Sequence, residues 1–135
     1  MPSTLTVDHQ KKTATTVATG PIAMVDIREH LLRERDERGL AYHELIDASG
    51  ATAVFSSSDV RETVEILRKL GREGALGPTA VVVSNDVTYG MFRMLQMLLD
   101  DVCDLRPFRS GERDMAERWL AGAAVRTDGG ATQSN

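Results

Sequence analysis

A single cysteine, Cys103, is the only thiol in this 135-residue chain, so no intramolecular disulfide can brace it, and a reducing cytoplasm is the expected setting. An excess of basic charge is also missing: 16 Lys and Arg face 20 Asp and Glu, a net charge of −4. Without a basic face the chain has little means of displacing counterions, so neither nucleic acid nor an anionic membrane is expected as its main partner. No apolar run approaches the roughly 20 residues that span a bilayer. The opening MPSTLTVDHQKK has no apolar signal core, so no membrane insertion is expected. The histidines, His9, His30 and His43, show no ligand spacing with one another or with Cys103, so no metal site and no cofactor are expected. There is no internal repeat, no linker and no G-x-S-x-G elbow.

What is present is enough apolar residue, 41% of the chain, for one compact domain that removes roughly two thirds of its unfolded surface from water. That domain is expected to span residues 1–122, with a disordered polar tail over 123–135 that ends in TDGGATQSN. Thr4 to Thr19 is rich in Thr and Val and reads as a β-hairpin, which Gly20 and Pro21 end. Met24, Ile27, Leu31 and Leu32 then recur at helical spacing as far as Gly39. Asp26 and Glu29 fit a capping box, with a start two or three residues earlier left open. The charged run RERDER, Arg33 to Arg38, reads as a solvated helix end.

His43 to Ala48 forms a short strand, and a second helix carries Val60, Val64, Leu67 and Leu70 on one face before Gly71 and Gly74. The uninterrupted Ala80 to Val83 suits a central strand covered on both sides. A third helix, Val87 to about Asp100, is apolar around most of its circumference. The surplus suggests a homodimer through Met91, Met94, Met97 and Leu98. Leu105 to Arg109 makes a last strand, at an edge because of Pro107, and a final helix carries Met115, Trp119 and Leu120. The alternation predicts an α/β fold: a four- or five-stranded, mixed but mostly parallel sheet with an N-terminal hairpin and about four helices.

The triplet Ser56, Ser57, Ser58 stands where strand gives way to helix. Asp59 with Glu62 matches a reciprocal helix cap, which leaves Ser56 and Ser57 as turn residues. A nucleophile would need a base and an orienting group, and none of the three histidines sits in a motif with a serine. A phosphoryl group on Ser57 or Ser58 would place about −1.5 to −2 charges beside a helix N-terminus, a change that a partner could read. GREGALG spaces Gly71, Gly74 and Gly77 three apart but follows a helix and precedes a strand, the reverse of a phosphate loop.

The run LIDASGATAVFSSSDV resembles the stretch of STAS-like, anti-sigma-factor-antagonist proteins in which a strand ending in Asp leads through a short turn to a serine-bearing helix start. VVVSNDVTYGMFRM, the strand leading to Phe108, and the closing AERWL resemble the SpoIIAA-like, STAS/SEC14-type bacterial family, over about Thr13 to Leu120. The resemblance implies a mixed sheet backed by helices with no known catalytic machinery, and phosphorylation of Ser57 or Ser58 by a partner kinase. The antagonist pattern is Asp-Ser-Ser-Gly, whereas here Asp59 and Val60 follow the triplet. The SEC14 likeness implies lipid carriage, for which a pocket of some 300 Å³ or more would need a dimer to build it.

A ligand or partner is expected outside the carboxyl ends of the parallel strands, on a rim of Asp47, Ser49, Asp59, Asn85, Asp86, Tyr89 and Arg93. The expected function is a non-enzymatic interaction or regulatory module with a protein partner. A carrier or sensor of a small apolar or anionic molecule is the alternative, and a serine hydrolase ranks last.

Overall fold

The computed structural model describes residues 3–125, so most of the expected tail lies outside the described residues. A hairpin comes first: β1 (Ser3–Asp8) and β2 (Thr13–Ile22) pair antiparallel. Its turn needs no glycine, because Asp8 Oδ1 accepts from the N–H groups of Gln10 and Lys11, each at 3.0 Å, and Lys12 takes the left-handed φ of 55°. There follow α1 (Met24–Asp36), β3 (His43–Ala53), α2 (Ser57–Glu73), β4 (Thr79–Val83), α3 (Asp86–Leu98) and β5 (Leu105–Arg109). A single 3-10 turn (Ser110–Glu112) then leads into α4 (Arg113–Gly122). The five strands lie in sequence order, with β2, β3, β4 and β5 parallel, so the expected mixed α/β sheet is what forms.

Successive right-handed crossovers in one direction place α1, α2 and α3 on one side of this sheet. Val81 and Val83 join the core beneath those helices, whereas Ala80, Val82 and Phe108 face Ala116, Leu120 and Trp119 of α4 on the other side. The uninterrupted apolar run of β4 is thereby covered on both faces, and all of Ala80 to Val83 is buried. Pro107 lies in β5, which is an edge strand, and Cys103 is buried. No described helix is long and apolar enough to cross a membrane.

Four local expectations are corrected. Gly20 and Pro21 do not end β2: Gly20, at φ 75°, follows a register shift between Val17 and Thr19, and pairing with β3 resumes as far as Ile22. The described β1 partners stop at Ala18, so Pro21 has no described β1 residue paired with it. β3 is likewise longer than expected and runs through Ser49 and Gly50 to Ala53, because β2 continues to pair with it. Asp47 is therefore within a strand rather than at its end. The third correction concerns α1, where Asp26 is not the cap but the third residue of the helix, its carboxylate accepting from the Ala23 N–H at 2.8 Å. Finally, α2 is capped by Ser56 instead of Asp59: Ser56 Oγ accepts from the Asp59 N–H at 3.1 Å and Asp59 Oδ2 from the Ser56 N–H at 2.8 Å. Ser57 and Ser58 are thus the first helical residues.

Candidate functional site

The parallel course of β3 and β4 brings Ser49 of the expected rim close to the Ser84 and Asn85 turn that follows β4. β4 leaves β3 at the Ala48 and Val83 pair, and the chain beyond it is tied back to β3. Ser84 Oγ donates to the Ser49 carbonyl at 2.6 Å and Asn85 Nδ2 to the Ala51 carbonyl at 3.4 Å. Asn85 also caps α3, accepting from the Thr88 N–H at 2.8 Å, and the Thr88 hydroxyl in turn accepts from the Ala53 N–H at 3.0 Å.

The two faces of the sheet divide this rim. Asp47 is one pleat along from Leu45, on the α4 side, where its carboxylate accepts from the Ser49 hydroxyl (2.6 Å), the Ser49 N–H (3.1 Å) and Arg113 (3.3 Å). The Ser49 hydroxyl, opposed by partial burial and assisted by the Ser49 N–H and Arg113, holds Asp47 below its ordinary carboxylate range. A depressed carboxylate contributes stability above its unfolded pKa and loses it as pH falls through the folded value. Asp47→Asn should therefore lower stability at neutral pH by about 1 kcal/mol and flatten the acid limb of the stability profile below about pH 4, as read by urea unfolding across pH.

Asp86 and Tyr89 are joined by Arg109, from the carboxyl end of β5, which is one of the strand ends expected to carry the rim. Arg109 Nη1 lies 2.5 Å from Asp86 Oδ1, and its guanidinium carbon sits 4.1 Å above the Tyr89 ring. Arg93 instead donates to Gln96 Oε1 along α3, at 2.8 Å. Asp59 is occupied by the α2 cap. Ser57 and Ser58 are exposed, and among the described residues none of the three serines hydrogen-bonds a histidine.

The faces of α3 are less uniform than its composition implies. Phe92, Leu95 and Thr88 are buried, and Met91 is half-buried against the same core. Met94, Met97 and Leu98 are exposed, joined by Val87 at 66% exposure. At 100° per residue Val87, Met94 and Leu98 fall on one flank, with Met97 toward the solvent-facing side.

A second constellation was not foreseen. Ile27, His30, Leu31 and Glu34 occupy positions i, i+3, i+4 and i+7 of α1, and this is the stripe that faces the sheet. Leu32, expected inside, is exposed, and Glu34, expected within the solvated RERDER run, is only 4% exposed. Opposite stands Glu44 of β3, also buried, on the same pleat face as Ile46 and Ala48. The donor atoms of His30, Glu34 and Glu44 all lie within 4.8 Å of one another. Thr16 of β2 donates to Glu44 Oε2 at 2.8 Å. His30 Nε2 approaches Glu44 Oε2 to 3.0 Å and Glu34 Oε1 to 4.0 Å. The second contact is too long for a hydrogen bond and the first lacks the alignment of one, so Nε2 is a buried atom without a hydrogen-bond partner, as is Glu34 Oε2.

Burial, and then the charge and hydrogen bond of Glu44, push Glu34 far above the usual carboxylate range. For Glu44 burial opposes ionisation, but His30, Glu34 and Thr16 together outweigh it and hold its pKa down. Of the two carboxyl groups, Glu34 is thus biased toward the protonated form and Glu44 toward the anion. The cluster forms the polar end of a cavity of about 120 Å³. Its remaining walls are apolar, chiefly Ile22, Ile27, Leu31, Leu67, Phe92 and Leu95. The sequence signal was the placement of two titratable residues on the inward stripe of a helix, together with a Glu at an inward position of a buried strand.

A solved structure aligns with the protein at a TM-score of 0.56 and 16% identity, over 87% of this chain and 93% of the other. That structure is of an uncharacterised protein of the DUF3478 family, with a SpoIIAA-like fold, from Shewanella loihica PV-4. The fold is SpoIIAA-like. No family model and no curated protein matches the chain. The expected resemblance therefore holds at the level of the SpoIIAA-like fold.

Proposed function

We propose that the chain is a non-catalytic regulatory module of the STAS-like kind, acting by docking through the exposed flank of α3. The observation that carries this reading is the stripe of Val87, Met94, Met97 and Leu98, apolar side chains left in water by a helix whose opposite face is already packed. Methionines adapt to varied partner surfaces because their side chains are flexible and polarisable. A second copy of the chain is the first partner, since a self-complementary helix face closes a two-fold dimer without further design. Ser57, exposed at the start of α2, supplies a position where phosphorylation would add charge without touching the Ser56 and Asp59 cap, whereas Ser58, also exposed, has its hydroxyl 2.9 Å from the capping Ser56 Oγ, so that a phosphoryl group there would alter the cap as well.

Met97→Glu, at a position 65% exposed, should leave the fold intact and convert a dimer into a monomer, seen as a halved mass in light scattering with unchanged circular dichroism. A wild-type chain that is already monomeric at high concentration would overturn the dimer. Phosphate on Ser57 or Ser58, found by mass spectrometry of protein from its native cells, would support the switch. Unchanged partner binding after both are replaced by Ala would remove it.

The cavity supports a second reading, a carrier or sensor. A volume near 120 Å³ suits a molecule of about benzene size, and the acidic end of the cavity disfavours an anion. Native mass spectrometry of the chain, showing a small mass released on denaturation, tests it.

A further inference from the structure

We propose that His30, Glu34 and Glu44 form a binding site for one divalent transition-metal ion of the Zn²⁺ class, at the polar end of the cavity beneath α1. The inference is independent of docking through α3.

Four features carry it. The first is geometry: tetrahedral coordination with bonds near 2.0–2.2 Å sets neighbouring donors roughly 3.4 Å apart, and the His30 Nε2 distances of 3.0 and 4.0 Å bracket that spacing. His30 and Glu34 are one helical turn apart on a regular helix, and Glu44 comes from a paired strand, so the donors are held by rigid elements. The second is unmet bonding. His30 Nε2 and Glu34 Oε2 are buried without hydrogen-bond partners, and the Glu34 side chain is 5% exposed. A cation would take both atoms at once, where burial otherwise leaves a standing penalty.

The third feature is charge. Once Glu34 gives up its proton as the ion enters, two carboxylates and a neutral imidazole carry −2, which a divalent ion neutralises within an otherwise apolar cavity. Donor type narrows the ion further, because one imidazole and two carboxylates with no thiolate suit Zn²⁺, Co²⁺, Fe²⁺ or Mn²⁺ rather than a soft cuprous ion. The fourth is support behind the donors. Thr16 Oγ1 holds Glu44 Oε2 at 2.8 Å, the kind of outer hydrogen bond that orients a carboxylate ligand. Three protein donors leave one position open toward the cavity, where a water or a small ligand would complete the shell.

The test uses the full chain, stripped with a chelator and then titrated with Zn²⁺ by calorimetry. One ion per chain should bind, and an excess of about 100-fold over the dissociation constant should raise Tm by at least about 5 °C. His30→Gln and Glu34→Gln should each weaken binding at least tenfold, whereas His9→Gln, at the hairpin tip, should not. Because either core variant could fail to fold, the wild-type chain carries a second measurement. Co²⁺ should show visible absorption bands and broaden the amide signals of Thr16, Leu31 and Leu45 in NMR spectra. Absence of saturable binding, affinity insensitive to both core variants, or broadening centred on His9 and Asp8 would each overturn the proposal.

Discussion

Glu44→Ala should lower the unfolding free energy by about 3 kcal/mol or more, measured by urea denaturation with chelator present so that no metal contributes. Glu44 is 3% exposed, and its ionised form survives burial only because several neighbours compensate it. Truncation removes the acceptor of the Thr16 hydroxyl, the closest contact of His30 Nε2 and the charge facing Glu34. It also opens a void beside a cavity of about 120 Å³, which adds its own penalty. Removing one member of a buried polar set leaves the others desolvated and unpaired, and this loss exceeds what the intact set contributes net. Glu44→Gln, which keeps an oxygen for Thr16, should lose clearly less. A loss below about 1 kcal/mol for the alanine variant would mean that water already satisfies the cluster, and the unpartnered burial described for it would be wrong.

Gly77→Ala should cost about 3 kcal/mol or more and is expected to lower Tm by roughly 10 °C. A β-carbon built at Gly77 would stand 2.1 Å from the Tyr42 carbonyl oxygen and 2.7 Å from that of Ala41. Both obstacles are backbone, so no side-chain rotation can relieve the overlap. The Gly77 N–H also donates to the Leu40 carbonyl at 2.7 Å, which fastens the two segments at the distance that excludes a methyl group. Gly90→Ala is the matched control: nothing lies within 4 Å of a β-carbon there, and a helix-interior alanine should stabilise by about 0.5–1 kcal/mol. Equal effects at the two positions would refute the close approach. Of the three glycines in GREGALG, Gly77 is thus required by the chain beside it, a reason unrelated to phosphate.

Much of this architecture was legible because local chemistry and global fold agree. Val60, Val64, Leu67 and Leu70 recur at helical spacing and all four are buried on α2. The same consistency made the hairpin, the buried β4 and the edge position of β5 readable, and from the alternation of elements the parallel sheet followed. Errors fell where a neighbouring segment overrode local preference. Gly20 and Pro21, and likewise Ser49 and Gly50, look like strand ends in isolation. Cross-strand pairing of Thr19 with Gly50 and Ile22 with Ala53 keeps both strands extended. At α2 the reciprocal cap lies between Ser56 and Asp59, three residues before the Asp59 and Glu62 pair that local spacing suggested.

By itself, then, the order of apolar and polar residues determined the α/β class, the identity of most core positions and the gathering of strand ends on one margin. Periodicity and handed crossovers act within one element or between neighbours along the chain, so these are written locally. Tertiary structure alone decided that His30 and Glu34 meet Glu44 and Thr16, that Arg109 reaches Asp86 and Tyr89, and that Gly77 abuts Tyr42. Each of these meetings joins residues from different elements, and their energies depend on ångström-scale distances and on burial, quantities that exist only once the helices have been laid against the sheet.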